Sequence, residues 1–474
     1  MNEKLAQALD YIEDQKIADA AEARRKRHLF LKAVAAILAI VILMNINLPS
    51  ISLRVNAKTI SEASGSRAPE RPERDDFASS DEYRAAFDNY LNSRDQREQI
   101  AITSLSGLNS FLAATSAGYM SNTTENRVYS PINAFLALAA LAEVTGGESR
   151  QQILAATGIS DMESLRTQVE ALWETVYLDK GSEVCLLGNS LWLDSKYDYN
   201  QETMDNVAQY HYTTVFQKNL SRPGAGRALG TWVDNQTGGL LKSNTAKIEF
   251  PEKAVLTLVS TVYLQSKWSD QFKESKNTRD TFHAPSGDIT ATFMNTRDQG
   301  YYFWTEDYGA SYRWLKNDCK MWFFLPDPDK SVDDVLKNGE YLEILTANNY
   351  TDEETDNSKY LYINWTVPKF DVSSSADLSE SLKACGITDI FDLDTADFTA
   401  ITGDTPVFVT GVNQSARVII DEEGVKAASY IEIPGAGAAE PPEDEVDMIL
   451  DRPFVFVIAT TEGIPLFTGV VIEP

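Results

Sequence analysis

The stretch that decides the fold runs Arg417-Val-Ile-Ile-Asp421-Glu-Glu-Gly424-Val-Lys-Ala-Ala-Ser-Tyr430-Ile-Glu-Ile-Pro434-Gly-Ala-Gly-Ala438-Ala439-Glu-Pro441-Pro442. Arg417–Ile420 has the β-branched content of a strand, and Gly424 ends an acidic turn. Residues 425–433 alternate with period two. Val425, Ala427, Ser429, Ile431 and Ile433 share one parity, and Lys426, Ala428, Tyr430 and Glu432 share the other. One face is apolar or small and the other mostly polar, so the segment reads as a strand. It runs into Gly- and Pro-rich loop material, and Asp451-Arg-Pro-Phe454 restarts a buried strand.

Outward from there, Met321–Leu325, Tyr360–Trp365, Val407–Val412, Phe454–Ile458 and Leu466–Ile472 are strand candidates, as is Val255–Leu264 before Lys267-Trp268. Ile132–Val144 is an Ala-rich apolar helix, with Pro131 at its first turn and Ser130 as its cap. Helices dominate the first half and strands the second, which implies an α+β domain.

Three further segments precede residue 101. Met1–His28 reads as a cytoplasmic polar helix that ends in Arg24-Arg25-Lys26-Arg27. Leu29–Leu48 is an apolar stretch broken by Lys32, Asn45 and Asn47; with its ends snorkelling, it is expected to cross a membrane as an uncleaved anchor. The basic cluster before it keeps the N-terminus inside and puts the rest outside. A signal peptide cleaved after Val55-Asn56-Ala57, giving a secreted protein, and a buried core helix remain open alternatives. Residues 49–100 are expected to form a polar linker, and 101–474 a single folded domain.

Of 474 residues, 42 are Lys or Arg and 70 are Asp or Glu, a formal net charge of −28. Such a chain lacks the cationic footprint that nucleic acid requires. Three cysteines without C-x-x-C spacing exclude a disulfide framework and speak against structural zinc. No G-x-S-x-G, H-E-x-x-H or phosphate-binding loop occurs. His211 and His283 read as satisfied or surface histidines, and the acidic runs Asp352–Asp356 and Glu440–Asp447 as solvated loops.

In order along the chain stand Tyr129-Ser-Pro-Ile-Asn-Ala134, Thr145-Gly-Gly-Glu-Ser149, Gly188-Asn-Ser-Leu-Trp192, Trp232-Val-Asp-Asn-Gln-Thr237, Leu258-Val-Ser-Thr-Val-Tyr-Leu-Gln-Ser-Lys-Trp268, Val367-Pro-Lys-Phe370, Asp421-Glu-Glu-Gly424, Asp451-Arg-Pro-Phe454 and Pro465-Leu-Phe-Thr-Gly469. Over about residues 101–474 the sequence resembles the serpin family of serine protease inhibitors, with a bacterial-type anchor added. The resemblance implies three sheets, about nine helices and an exposed reactive-centre loop. It implies a suicide substrate rather than an enzyme. After the protease attacks the loop and is acylated by it, the segment behind the cut inserts into the main sheet as a new strand and traps the acyl-enzyme. No cofactor or metal is implied, and the inhibitor is expected to be a monomer.

Carried onto this sequence, the loop hinge is Glu422, Glu423, Gly424, Val425, Lys426, Ala427, Ala428 and Ser429. Counting seventeen residues from Glu422 puts the reactive bond at Ala438–Ala439, to within one or two residues. The resemblance makes Trp268 the breach residue and Ser130, Asn133, Ser260 and Gln414 the shutter. Asn133, Ser260 and Gln414 depart from the family's usual Ser, Asn and His, as in a swapped polar network. Val425, Lys426 and Tyr430 depart from the usual hinge residues. Ala438 suits an elastase-like protease, with a subtilisin-like target also open. Lys426 and Tyr430 motivate the alternative, a non-inhibitory serpin that serves as a surface binding protein.

Overall fold

A computed structural model of the chain describes residues 54–63, 72, 74, 77, 79–180, 183–241, 248–250, 254–345, 357–403, 406–409, 411–425 and 442–474. The chain opens with β1 (Lys58–Ser61) and a long helix, α1 (Ser80–Met120). A capping box at Ser79 and Glu82 starts α1. After β2 (Arg127–Tyr129) come α2 (Pro131–Val144), α3 (Gly147–Thr157), α4 (Met162–Val176), β3 (Leu178–Lys180) and β4 (Glu183–Asp194). Next along the chain are α5 (Gln201–Tyr210), β5 (Thr213–Lys218), α6 (Pro223–Gln236) and β6 (Leu256–Lys267). The second half is strand-rich, as the sequence implies: β7 (Thr278–Ala284), β8 (Gly287–Trp304), β9 (Tyr308–Trp314), β10 (Cys319–Pro326), β11 (Ser358–Pro368), β12 (Phe370–Asp377), β13 (Asn413–Ile420), β14 (Gly424–Val425), β15 (Glu445–Ile449), β16 (Phe454–Thr460) and β17 (Pro465–Val471).

Helix α2 is buried on every side, which its Ala- and Leu-rich sequence permits. Ser130 caps it by accepting from the Asn133 amide at 3.3 Å. It packs against the main sheet, whose strand order is β1-β5-β4-β6-β14-β13-β12. The second sheet runs β15-β11-β8-β9-β10-β16-β17-β2, with β7 on β8. Its centre, β16, is buried at all seven residues.

Several expectations need correction. Among the described residues two sheets are present, not three, because β8 continues through 18 residues and joins what would be two smaller sheets. The described residues hold more than nine helical segments, some only one turn long, such as Val332–Leu336 and Thr399–Thr402. The described residues of 407–412 form no strand; the Val409 amide instead donates to the Ile390 carbonyl at 2.7 Å.

The expected linker is not all linker. Lys58–Ser61 is an edge strand of the main sheet, and α1 begins at Ser80 rather than near residue 101. Polar composition hid both. An edge strand needs few apolar residues, and a capped helix whose first turns are not buried can be polar there. Residues 1–53, which hold the expected anchor, lie outside the described residues. Among the described residues no helix is long and apolar enough to cross a membrane.

Candidate functional site

Strands β6 and β13 lie side by side in the main sheet, but among the described residues no ladder joins them directly. Among the described residues they are bridged at one end by β14. Gly424 faces Lys267, Val425 faces Ser266, and Val425 also faces Ile420. Beyond that end the two strands flank a cavity of about 480 Å³. Leu256–Thr261 of β6 and Gln414 and Ser415 of β13 form its sides. Ala134, Leu138 and Leu141 of α2 wall one face, and Leu229 and Val233 of α6 help close the rest. An apolar slot thus lies next to the described stub of β14, Gly424–Val425.

The stub is held tightly. Gly424 sits at φ +144°, and an added Cβ would lie 2.5 Å from both the Lys267 Cα and the Ser266 carbonyl oxygen. Only glycine fits there. The Asp421 carboxylate accepts from the Glu423 and Gly424 amides at 2.8 and 3.2 Å, which fixes the turn. Val425 is buried against the core.

Residues 109–474 match the family described as Serpin (serine protease inhibitor). The chain belongs to the serpin family. Serpin-Z1C of Triticum aestivum is 24% identical over 383 residues, spanning 77% of this chain and 94% of its own length. Alpha-1-antiproteinase S of Cavia porcellus is 25% identical over 362 residues, 74% of this chain and 85% of its own. The crystal structure of the thermophilic serpin Tengpin in the native state superposes with a TM-score of 0.68 at 23% identity, covering 78% of this chain and 93% of that one. That likeness is one of fold. The matched residues exclude the N-terminal hundred, and neither a bacterial-type origin nor an anchor finds support in these similarities.

The residues that the resemblance makes breach and shutter are bonded as follows. Trp268 is fully buried; its indole Nε1 donates to the Asp421 carbonyl at 2.9 Å, and its amide to the Glu423 carbonyl at 3.0 Å. Arg313 adds a guanidinium 5.6 Å from the Trp268 ring centre and 4.2 Å from that of Phe272. Glu422 pairs with Lys369 at 2.5 Å and accepts from the Asn277 amide. Partial burial raises its pKa, but the Lys369 and Asn277 contacts outweigh this, so its carboxyl lies below the usual range.

In the shutter, Gln414 makes two bonds to Ser130. Its Oε1 accepts from the Ser130 amide at 2.6 Å and its Nε2 donates to the Ser130 carbonyl at 3.1 Å. The Ser260 hydroxyl lies between the side-chain amides of Asn133 and Asn189. One hydroxyl proton cannot serve two carbonyls, so one of the two amides must present its NH2 group to Ser260 Oγ. Asn133 is the natural donor, because its Nδ2 otherwise has no partner while buried.

Sequence reasoning missed the continuation of this network. The Asn189 amide donates to the His211 carbonyl at 3.4 Å, and His211 Nε2 lies 3.1 Å from Glu143, which Arg166 grips with two bonds. The only signal was that Asn189 falls inside a motif that resembles the family. Hinge residues Lys426, Ala427, Ala428 and Ser429 and the reactive-bond pair Ala438 and Ala439 lie outside the described residues.

Proposed function

We propose that this serpin is a suicide-substrate inhibitor of extracytoplasmic serine proteases, acting by insertion of its loop between β6 and β13. The observation that carries this is the position of Val425. It already lies between those strands at the mouth of the slot, bonded in register with Ile420 and Ser266. The segment after it alternates in the way an inserting strand must.

The energetics favour insertion. A new central strand completes ladders on both edges and fills an apolar cavity. At about 1 kcal/mol net per hydrogen bond and roughly 25 cal/mol per Å² buried, the release is on the order of 10 kcal/mol. The uncut fold is then a kinetic trap. A protease whose active-site serine attacks the Ala438 carbonyl is acylated by it as the Ala438–Ala439 bond breaks and the Ala439 amine leaves with the proton, and it is carried along before water can release it. Small residues around the bond favour an elastase-like target. An anchor at residues 29–48, with the N-terminus in the cytoplasm, would station the inhibitor at the cell surface.

Incubation of the protein with elastase-like and subtilisin-like serine proteases tests the reading. An SDS-stable complex, with a peptide released after Ala438, is expected. Clean loop cleavage without a complex would favour the non-inhibitory binding protein that Lys426 and Tyr430 suggest.

A further inference from the structure

The residues just before the matched domain are built into the main sheet. β1 pairs antiparallel with β5, Lys58 facing Gln217, Thr59 facing Phe216 and Ser61 facing Val215. Without β1, β5 would present an open sheet edge. The strand is also pinned sideways. Ser61, buried, donates from Oγ to Asp205 of α5 at 2.6 Å, and Gln201 donates to both Ser61 and Asp205. The Lys218 ammonium donates to the Asn56 carbonyl. Val55 and Ala57 pack on a separate apolar cluster that holds Trp192 of β4, Phe216 of β5, and Leu229, Trp232 and Val233 of α6.

The same α6 residues, Leu229 and Val233, wall the cavity between β6 and β13. A strand entering that cavity points alternate side chains at the two faces of the sheet, one of them the α6 face. Helix α6 must therefore give way as the strand enters, and the β5-β4-β6 side must part from β13. Residues 54–63 grip β5 and α5 and pack on the cluster that joins α6 to β4 and β5, and so they tie α6 down onto its side of the sheet.

We infer that residues 54–63 are an intramolecular restraint on the main sheet, holding α6 closed over the slot and slowing entry of the loop into the uncut chain. This rests on the insertion reading above. The segment lies outside the family-matched residues.

The test uses the full chain, its Ser61→Ala variant, and a double variant with Val55→Asp and Ala57→Asp. Each is held at elevated temperature, and the half-life of the native uncut form is read as loss of complex-forming activity. Loss of about one hydrogen bond at the barrier should shorten the half-life about fivefold in Ser61→Ala, and charges in the cluster should shorten it further. Hydrogen exchange across β5 and α6 in Ser61→Ala should quicken alongside. Unchanged half-lives and exchange, in a chain that still gains stability when its loop is cut, would overturn the restraint alone. No gain on cutting, in the unsubstituted chain, would overturn the insertion reading and the restraint with it.

Discussion

Trp268 and Asp421 are joined by a 2.9 Å hydrogen bond from the indole Nε1 to the backbone carbonyl, which seats the tryptophan beneath the turn where the chain leaves β13 for the loop. Trp268→Phe keeps most of the packing but leaves that carbonyl unpaired. The expected cost is about 1–3 kcal/mol, read as a lower urea midpoint with an unchanged slope. An unaltered midpoint would show that the indole bond contributes nothing at the breach.

Gly424 is the tightest point of the hinge. In Gly424→Ala the new methyl group meets the β6 backbone at 2.5 Å, so the stub must leave its place. Hydrogen exchange at Ser266, Lys267 and Val425 should accelerate while β16 stays protected. Retained protection at Val425 would mean the hinge is held by something other than this close fit.

The shutter offers an exchange of side chains. Ser260 on β6 lies hydrogen-bonded to Asn133 on α2. Asn133→Ser or Ser260→Asn alone should each destabilise by about 1–3 kcal/mol through a lost or crowded buried bond. Combined, they restore one hydroxyl and one amide in reversed places, and most of the loss should be recovered, a coupling that a double-mutant cycle measures. Additive losses would show that the pair is not a unit.

Acid should weaken this region in two stages. Burial lowers the His211 pKa, against the pull of Glu143, so the ring is neutral at pH 7. A depressed pKa gives stability that is present above the unfolded value, near 6.5, and is lost as pH falls below it. Burial raises the Glu143 pKa, but the bonds from His211 and Arg166 prevail and hold it at about 2. Its contribution is present above about 4.3, the ordinary value, and drains away toward pH 2. His211→Gln, which keeps a donor toward Glu143, should flatten the stability profile just below pH 6.5 and leave the lower slope. A profile identical to that of the unsubstituted chain would assign the upper stage to another group.

The fold and the turn that leads into β14 were readable because their signals are local. Gly424 follows an acidic turn, Val425 opens an alternating segment, and Ser130-Pro131 starts a buried helix. Ser260, Asn133, Ser130 and Gln414 lie far apart in the chain, and only the ordered motifs grouped them. The His211–Glu143–Arg166 chain was not readable, since nothing in single polar residues on three elements reveals that they meet. β1 escaped notice for a different reason. Lys58-Thr-Ile-Ser61 is four residues inside polar sequence, and its strand character comes from the β5 edge it covers.

The most direct measurement is the thermal unfolding of the chain before and after a single cut in the loop. If the residues after Val425 belong energetically between β6 and β13, the cut chain should melt higher, by more than about 10 °C for a release on the order of 10 kcal/mol. A cut chain that melts at or below the temperature of the intact one would contradict it.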